Sequence, residues 1–271
     1  YYLKKFLKFK VSTMSDTHFS DNLHISTMVQ IGTLNTKIVL KSLAENLNIN
    51  DNILYIEYGS EINKGINDKK ISKKKLETKK FFYNQLTLHI HNSLKNNKRV
   101  NVKIFNNGRI QMTGINSDAV GITTIEIVLK EFLNLSNKGE IFSETDIKQI
   151  GDLETVLINS DFDIYHEVDR ESLHRTIVEN GYLSSYEPCN YPGVNIKYYY
   201  NPCKRNFGIC DCEKPCNGKG LNDNCKKITI AVFKSGKIII TGGRNKHHIQ
   251  TAYEFITEFI DENKSIVLKK D

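Results

Sequence analysis

The chain repeats itself, and that repeat limits what it can fold into more than any other feature. Residues 102–114 (VKIFNNGRIQMTG) and 230–242 (IAVFKSGKIIITG) share one plan: an apolar strand, a Phe, a turn with Gly, a basic residue, a second apolar strand and Thr-Gly. Asn-Gly or Ser-Gly between alternating runs is a strong hairpin signal. A helical pattern follows each hairpin. Ile122, Ile125, Leu129, Phe132 and Leu133 recur at helical spacing after the first, and Ile249, Ala252, Tyr253, Ile256, Phe259 and Ile260 after the second, where Asn245 is placed to cap the start.

The order upstream repeats too. A strand over Ile25–Ile31, a helix over Lys37–Leu47 and strands around Ile53–Tyr58 and Leu86–His91 precede the first hairpin. A strand near Thr155–Ile158, a helix over Arg170–Asn180 ended by Gly181, and extended segments from Tyr182 and over Val194–Tyr200 precede the second. The expected fold is α+β: two tandem units sharing one antiparallel sheet, with the long helices on one face. Strand alternation sets the sides. Ile104, Ile110, Met112, Ile230, Val232, Ile238 and Ile240 point at the helices. Lys103, Phe105, Arg109, Gln111, Thr113, Thr229, Ala231, Phe233, Lys237, Ile239 and Thr241 point away. An uncovered face that mixes large apolar, Thr and basic side chains suits a partner that is part apolar and part anionic; the plainer alternative is a further layer of protein.

The net charge of +7 is concentrated. Residues 58–80 hold eight lysines against three acids, a net +5, and residues 1–22 add +2. A lysine run is either a solvated loop or an attraction for a polyanion. No apolar run approaches the ~18 residues of a membrane span, and the lysine-interrupted N-terminus lacks the continuous apolar core of a secretory signal. Five of six cysteines, Cys203, Cys210, Cys212, Cys216 and Cys225, fall in one window. In a reducing compartment such a cluster points to metal before disulfides, with free thiols as the remaining reading. Zinc is the cofactor that Cys210, Cys212, Cys216 and Cys225 could hold, with Cys203 as the alternate ligand and Cys189 set apart as structural.

With these features in view, the chain resembles the TATA-box-binding protein (TBP) family. The phrase Ser184-Ser185-Tyr186-Glu187-Pro188-Cys189-Asn190-Tyr191-Pro192-Gly193 is similar to the signature of that family's second repeat, Ile25–Gly32 to its first strand, and the paired hairpins to its later strands. The resemblance spans residues 22–263, and the departures bring the chain nearest to the divergent TBP-like proteins of giant DNA viruses. It implies a basic tail at 1–21, a first repeat at 22–145 with the lysine-rich insertion 58–80, a second at 146–265 with the cysteine-rich insertion 201–226, and a tail at 266–271. It implies a saddle whose concave sheet sits on the DNA minor groove, with aromatic wedges that unstack base steps and bend the duplex.

By that resemblance the wedges map onto Tyr83 (beside Phe81 and Phe82) and Phe105, and onto Tyr191 and Phe233. Thr113, Ile239 and Thr241 fall on the groove floor, and Arg109, Lys197 and Lys237 near phosphates. The family's central asparagines fall on His24 and on Leu157 or Asn159. The partners implied are double-stranded A·T-rich promoter DNA, a TFIIB-like factor and the RNA polymerase machinery. Glu187 keeps the factor-contacting position, while Cys189 and Asn190 replace an acidic residue and a leucine. The cysteine insertion stands where cellular relatives have a short stirrup loop, and a dedicated partner could read it instead. The implied location is the nucleus or the cytoplasmic viral factory of a host cell, with packaging in the virion as a further option. No enzyme is expected: there is no phosphate-cradling Gly-rich loop and no His-Glu-x-x-His, the adjacent His247-His248 reads as a solvated helix start, and Asp161, Asp163 and Glu167 read as surface turns. The alternative is an interaction module that keeps the fold but not the DNA binding.

The lysine run yields a test of its own. If residues 64–80 attract DNA non-specifically, replacing several of these lysines flattens the dependence of log K on log salt. An unchanged slope in binding titrations would mean that the run never reaches the DNA.

Overall fold

The computed structural model describes residues 22–66, 80–95, 99–201, 208–210, 212, 216–220 and 225–269. The expected tail 1–21, residues 67–79 of the lysine-rich insertion and Cys203 lie outside the described residues. The chain is α+β, with a large antiparallel sheet and peripheral helices. No helix among the described residues is long and apolar enough to cross a membrane. The chain divides into two compact units.

The first unit takes Ile25–Ser160 with Thr241–Asn245. In chain order it holds β1 (His24–Leu34), α1 (Leu40–Asn46), β2 (Ile53–Tyr58), β3 (Ile62–Gly65), β4 (Gln85–His91), β5 (Arg99–Phe105), β6 (Arg109–Ile115), α2 (Asp118–Leu133), α3 (Lys138–Ile141) and most of β7 (Gln149–Asp163). Its strands are ordered β3-β2-β4-β5-β6-β1-β7. Alternation holds throughout. Leu86, Leu88, Val102, Ile104, Ile110 and Met112 are fully buried, while Phe105, Gln111 and Thr113 between them are half-buried and Arg109 is exposed. In β5 and β6 Ile104 pairs with Ile110 and Lys103 with Gln111, which keeps like sides together.

Among the described residues, the second unit takes 161–240, 246–269 and 22–24. It contains the end of β7, α4 (Arg170–Glu179), β8 (Leu183–Ser185), β9 (Val194–Tyr200), β10 (Lys226–Val232), β11 (Lys237–Gly243), α5 (Lys246–Glu262) and α6 (Lys264–Val267). The order here is β7-β11-β10-β9-β8. Ile196, Ile228, Ile230, Val232, Ile238 and Ile240 are buried, and α5 adds Ile249, Ala252, Ile256, Phe259 and Ile260, five of the six positions that helical spacing picks out. Ala231 was assigned outward and is nevertheless buried, because its single methyl lies below taller neighbours.

Three expectations need correction. The buried stripe of α2 is Val120, Gly121, Thr124, Ile125, Val128 and Phe132, and Ile122 and Leu133 are exposed. Small and polar residues turn the helix: a Cβ on Gly121 would stand 1.9 Å from Gln30 Oε1, and Asn92 Nδ2 donates to Thr124 Oγ1 at 2.9 Å. The strand expected near Thr155–Ile158 extends over Gln149–Asp163, because neighbouring strands pair a stretch whose Gly151, Asp152 and Glu154 carry no strand signal of their own. His247 and His248 are not simply solvated, since their rings lie 5.4 and 4.7 Å from that of Tyr200.

Both units are locked by the same contact. In the first, Gly108 takes φ +82° and its carbonyl accepts the amide of Leu34 at 2.8 Å, while Asn106 O accepts Ile38 N at 2.8 Å. In the second, Gly236 takes φ +89°, with Ile164 N→Gly236 O at 3.1 Å and Val168 N→Lys234 O at 2.8 Å. A Cβ on Gly108 would meet Thr36 O at 2.4 Å, and one on Gly236 would meet His166 O at 2.4 Å. Only glycine satisfies both the dihedral and the approach. Gly236→Ala should therefore lower unfolding stability by more than the ~1–2 kcal/mol that a left-handed conformation costs an L-residue. Gly139→Ala, where nothing lies within 4 Å, should be neutral or slightly stabilising in the same urea titrations.

Candidate nucleic-acid interface and metal centre

The open side of β9–β11 ends in two aromatic rings. Phe233 is the last residue before the hairpin turn, and that turn holds it at both backbone atoms: Phe233 N→Lys237 O at 2.9 Å and Gly236 N→Phe233 O at 3.0 Å. Its ring lies 5.7 Å from that of Tyr191, tilted by 59°. Gly193 leaves room for the pair, since a Cβ there would stand 2.9 Å from Tyr191 and 3.3 Å from Phe233. The amides of Asn190 and Tyr191 both donate to Glu187 O at 2.9 Å, folding this segment into a turn. Arg170 anchors the turn from α4, with its guanidinium 5.3 Å over the Tyr186 ring and Nη1 donating to Pro192 O. Tyr191 remains 38% exposed.

In the first unit Phe105 occupies the same place relative to its hairpin, with Gly108 N→Phe105 O at 3.0 Å, and it is half-buried. Tyr83 lies two residues before β4, whose Gln85 pairs with Phe105. Its ring sits edge-on against Tyr58 at 5.9 Å, and its hydroxyl lies 2.9 Å from Ser60 Oγ. Phe81, Phe82 and Tyr83 are all exposed.

The polar candidates differ in their surroundings. Lys197 Nζ donates to Thr229 Oγ1 at 3.1 Å; burial first and then the Lys227 charge hold its ammonium below the usual lysine range. Thr241 donates its hydroxyl to Asn159, one of the residues that the resemblance pointed to. Thr113 pairs with Val29 on β1 and Asn101 on β5, and Ile239 is half-buried on β11. Lys237 forms an ion pair with Asp161 at 3.2 Å. Arg109 shares an open pocket of about 380 Å³ with Ile31, Thr33, Asn107, Asp152 and Glu154. Sequence reading missed these acids beside two of the three basic positions, because Asp152 and Glu154 stood outside the expected strand and Asp161 was read as a surface turn. Asp163 accepts the Tyr165 amide at 2.7 Å, and Glu167 lies 3.4 Å from Lys269, so both remain surface features.

The second centre is built from cysteines. The sulfurs of Cys210, Cys212, Cys216 and Cys225 all lie within 4.8 Å of one another, and Cys212 Sγ and Cys225 Sγ are 3.5 Å apart. Four thiolates around Zn²⁺ at ~2.3 Å stand roughly 3.8 Å apart, whereas a disulfide needs ~2.05 Å. The set therefore fits a tetrahedral metal. Every sulfur faces an N–H: the Cys212 amide at Cys210, the Cys225 amide at Cys212, the Gly218 amide at Cys216 (3.4 Å) and Asn201 Nδ2 at Cys225 (3.9 Å). Such donors favour thiolates and hold metal ligands in orientation. Burial pushes Cys210 up and Cys225 up to about 12, while the Cys225 amide holds Cys212 down. Metal chemistry would supply the positive charge that lets the buried thiols ionise. Cys189 is exposed on the loop before β9 and is not in the group.

The strand register also fixes where the loop stands. Tyr200 pairs with Lys226 and Val194 with Val232, so the cysteine loop joins the ends of β9 and β10 that lie away from Tyr191 and Phe233. A seven-residue strand puts about 20 Å between the two ends, so the insertion does not stand beside the expected wedge.

Comparison with known proteins agrees with this architecture. The family profile "Transcription factor TFIID (or TATA-binding protein, TBP)" matches residues 158–263. A "TATA-box-binding protein-like" protein of Acanthamoeba polyphaga mimivirus is 31% identical over 253 residues, covering 87% of this chain; the chain spans 64% of that protein's length. The fold is that of Methanococcus jannaschii TBP, with TM-score 0.53 at 18% identity, over 89% of this chain and 99% of the other. The chain therefore has a TBP-like fold and is related in sequence to the mimiviral TBP-like protein.

Elemental analysis of tag-free protein should find about one zinc per chain. Cys212→Ser and Cys216→Ser should each lower its occupancy, and a metal-free protein whose folding ignores both changes would contradict the site. Because buried thiols must lose protons to bind, metal affinity should rise with pH and fall on acidification.

Proposed function

We propose that this chain is a TBP-like general transcription initiation factor that binds A·T-rich promoter DNA through the minor groove, bends it and recruits transcription machinery in a virus-infected cell. The observation that carries the reading is the pairing of Tyr191 with Phe233 over Gly193, on the side of the strands turned away from the helices. Two rings held by turns at a strand end can enter a base step, where aromatic–base contacts are worth roughly 1–3 kcal/mol. The recovered contacts of a bent duplex offset the cost of unstacking. Phe105 and Tyr83 are the corresponding candidates of the first unit, and Tyr83 would have to leave Tyr58 or act from that position. Thr113 in the first hairpin, and Ile239 and Thr241 in the second, supply low positions on the same side of their strands as the aromatic residues.

Charge gives further support. In the second unit α5 carries exposed Glu254, Glu258 and Glu262 on the helix side, and their mutual repulsion adds to burial in raising the Glu258 carboxyl. Lys197 and Lys227 lie on the open side. A polyanion is thereby favoured on one face and disfavoured on the other. Sequence preference would come chiefly from deformability, because the minor groove distinguishes little beyond A·T from G·C. The Tyr186–Pro192 turn, with Glu187 exposed, is the surface offered to a TFIIB-like factor.

One observation favours a second reading, an interaction module that no longer binds DNA. Asp161 neutralises Lys237, and Asp152 and Glu154 stand beside Arg109. Bending assays separate the two. With end-labelled A·T-rich duplex, Phe233→Ala should reduce bending by fluorescence transfer more than Lys237→Ala, which should weaken affinity without straightening the complex. Asp161→Asn should tighten binding and steepen its salt dependence. If Phe233→Ala binds and bends like the parent, the wedge reading is wrong; if the parent binds no duplex at low salt, the interaction module is the better account.

A further inference from the structure

The cysteine loop touches the open face at a point that the wedge does not use. Residues 208 and 218–220 continue the sheet as short arms: Tyr199 N→Gly208 O at 2.9 Å, Lys227 N→Gly218 O at 2.9 Å and Gly220 N→Cys225 O at 3.1 Å. Gly208 precedes the ligand Cys210 by two residues and Gly218 follows the ligand Cys216 by two, so these arms join the cluster to Tyr199 and Lys227. Tyr199 pairs with Lys227 and shares its side with Lys197, which pairs with Thr229. Tyr199 and these two lysines therefore occupy one side of the strand pair, and the arms of the cysteine loop bond the backbone there at Tyr199 and Lys227.

The two cations are neighbours. Lys197 pairs with Thr229, and Lys227 stands two residues before Thr229 on the same side of β10; neither lysine has an acidic partner among the described residues. Like charges held together in the free protein are a cost that an anion removes. The loop backbone holds Lys227 in place. A Cβ on Gly218 would stand 2.6 Å from Lys227 Cβ, so the lysine stem lies directly against this glycine. Gly218 follows the ligand Cys216 by two residues and donates to its sulfur, and Lys227 follows the ligand Cys225 by two. Both sides of the contact are thus tied to the ligand cluster through two-residue stretches of chain. The loop has few apolar residues with which to hold itself closed, so ligation is the force available to order it.

We propose that the metal centre organises Lys197 and Lys227 into a phosphate-binding pair on the open face, so that metal loading sets how many DNA phosphates the chain engages. The inference rests on the reading of this face as a DNA-binding surface. It makes the metal a determinant of the footprint at the strand end opposite the wedge, and it separates affinity, which the pair supplies, from bending, which the aromatic rings supply.

The test compares full-length zinc-loaded protein with protein stripped by a thiol-compatible chelator. The first arm uses no DNA: an amine-acylating reagent, read by peptide mass spectrometry, should label Lys227 several-fold faster after metal removal and leave Lys103 unchanged. In the second arm, anisotropy titrations of an A·T-rich duplex at several salt concentrations should lose about 2 from the slope of log K against log salt on stripping, close to one per cation. Lys197→Gln with Lys227→Gln in the zinc-loaded protein should reach the same lower slope with bending retained, and its slope should no longer respond to the chelator. Unchanged labelling of Lys227 on stripping, or a double variant whose slope still responds to metal, overturns the inference. A zinc-loaded parent that binds no duplex overturns the DNA reading instead, and the labelling arm still reports whether the metal holds Lys227.

Discussion

Twice in this chain the carbonyl of a left-handed hairpin glycine accepts the amide at the end of a long strand or just beyond it. Leu34 reaches Gly108, and Ile164 reaches Gly236. Ile38 and Val168 then bond the carbonyls of Asn106 and Lys234, two residues earlier in each turn. These contacts fasten the hairpin tip to the segment that leads into α1 or α4. They also decide where the aromatic residue three positions before each glycine stands, because the same turn binds Phe105 O and Phe233 O. A ring that must meet a partner without help from the core needs this kind of backbone fixation, since an exposed side chain has little packing to hold it.

The locks give the two units a common frame, and the units then spend their surfaces differently. In the first, Tyr83 leans on Tyr58, and Arg109 opens onto acids of β7. In the second, Tyr191 meets Phe233, Lys237 is paired with Asp161, and Lys197 and Lys227 stand together. The helices share one logic, an apolar stripe against fully buried strand residues. The acidic ridge of Glu254, Glu258 and Glu262 then leaves the far side of α5 unattractive to a polyanion.

The cysteine centre answers a separate physical problem. A connection of this length between two adjacent strands carries mostly polar residues, and it cannot bury enough apolar surface to order itself. Four thiols that converge within 4.8 Å, each facing an N–H, offer ordering by ligation in its place. Because two of the ligands lie within two residues of Gly218 and Lys227, the centre is joined mechanically to the open side of β9 and β10. The metal site and the aromatic pair lie at opposite ends of the same strands.

Much of this was legible in the residues. The duplicated hairpin, the side on which Phe105 and Phe233 stand and the apolar stripe of α5 follow from period-two and period-3.6 patterns, which are local. The four cysteines could be named because ligand chemistry is written in residue type. What lay beyond reach depended on contacts far apart in the chain. The bounds of β7 came from the strands beside it, because Gly151, Asp152 and Glu154 have no strand propensity of their own. The turn of α2 was set by Gln30 and Asn92 on other elements. The neutralising acids at Lys237 and Arg109 appear only when β7 is placed beside β11 and beside β1, the strand that separates it from β6. Residue patterns determined which side chains face outward; only the tertiary structure decided which of those outward groups meet, because hydrogen-bonded pairing joins residues that periodicity within one segment cannot connect.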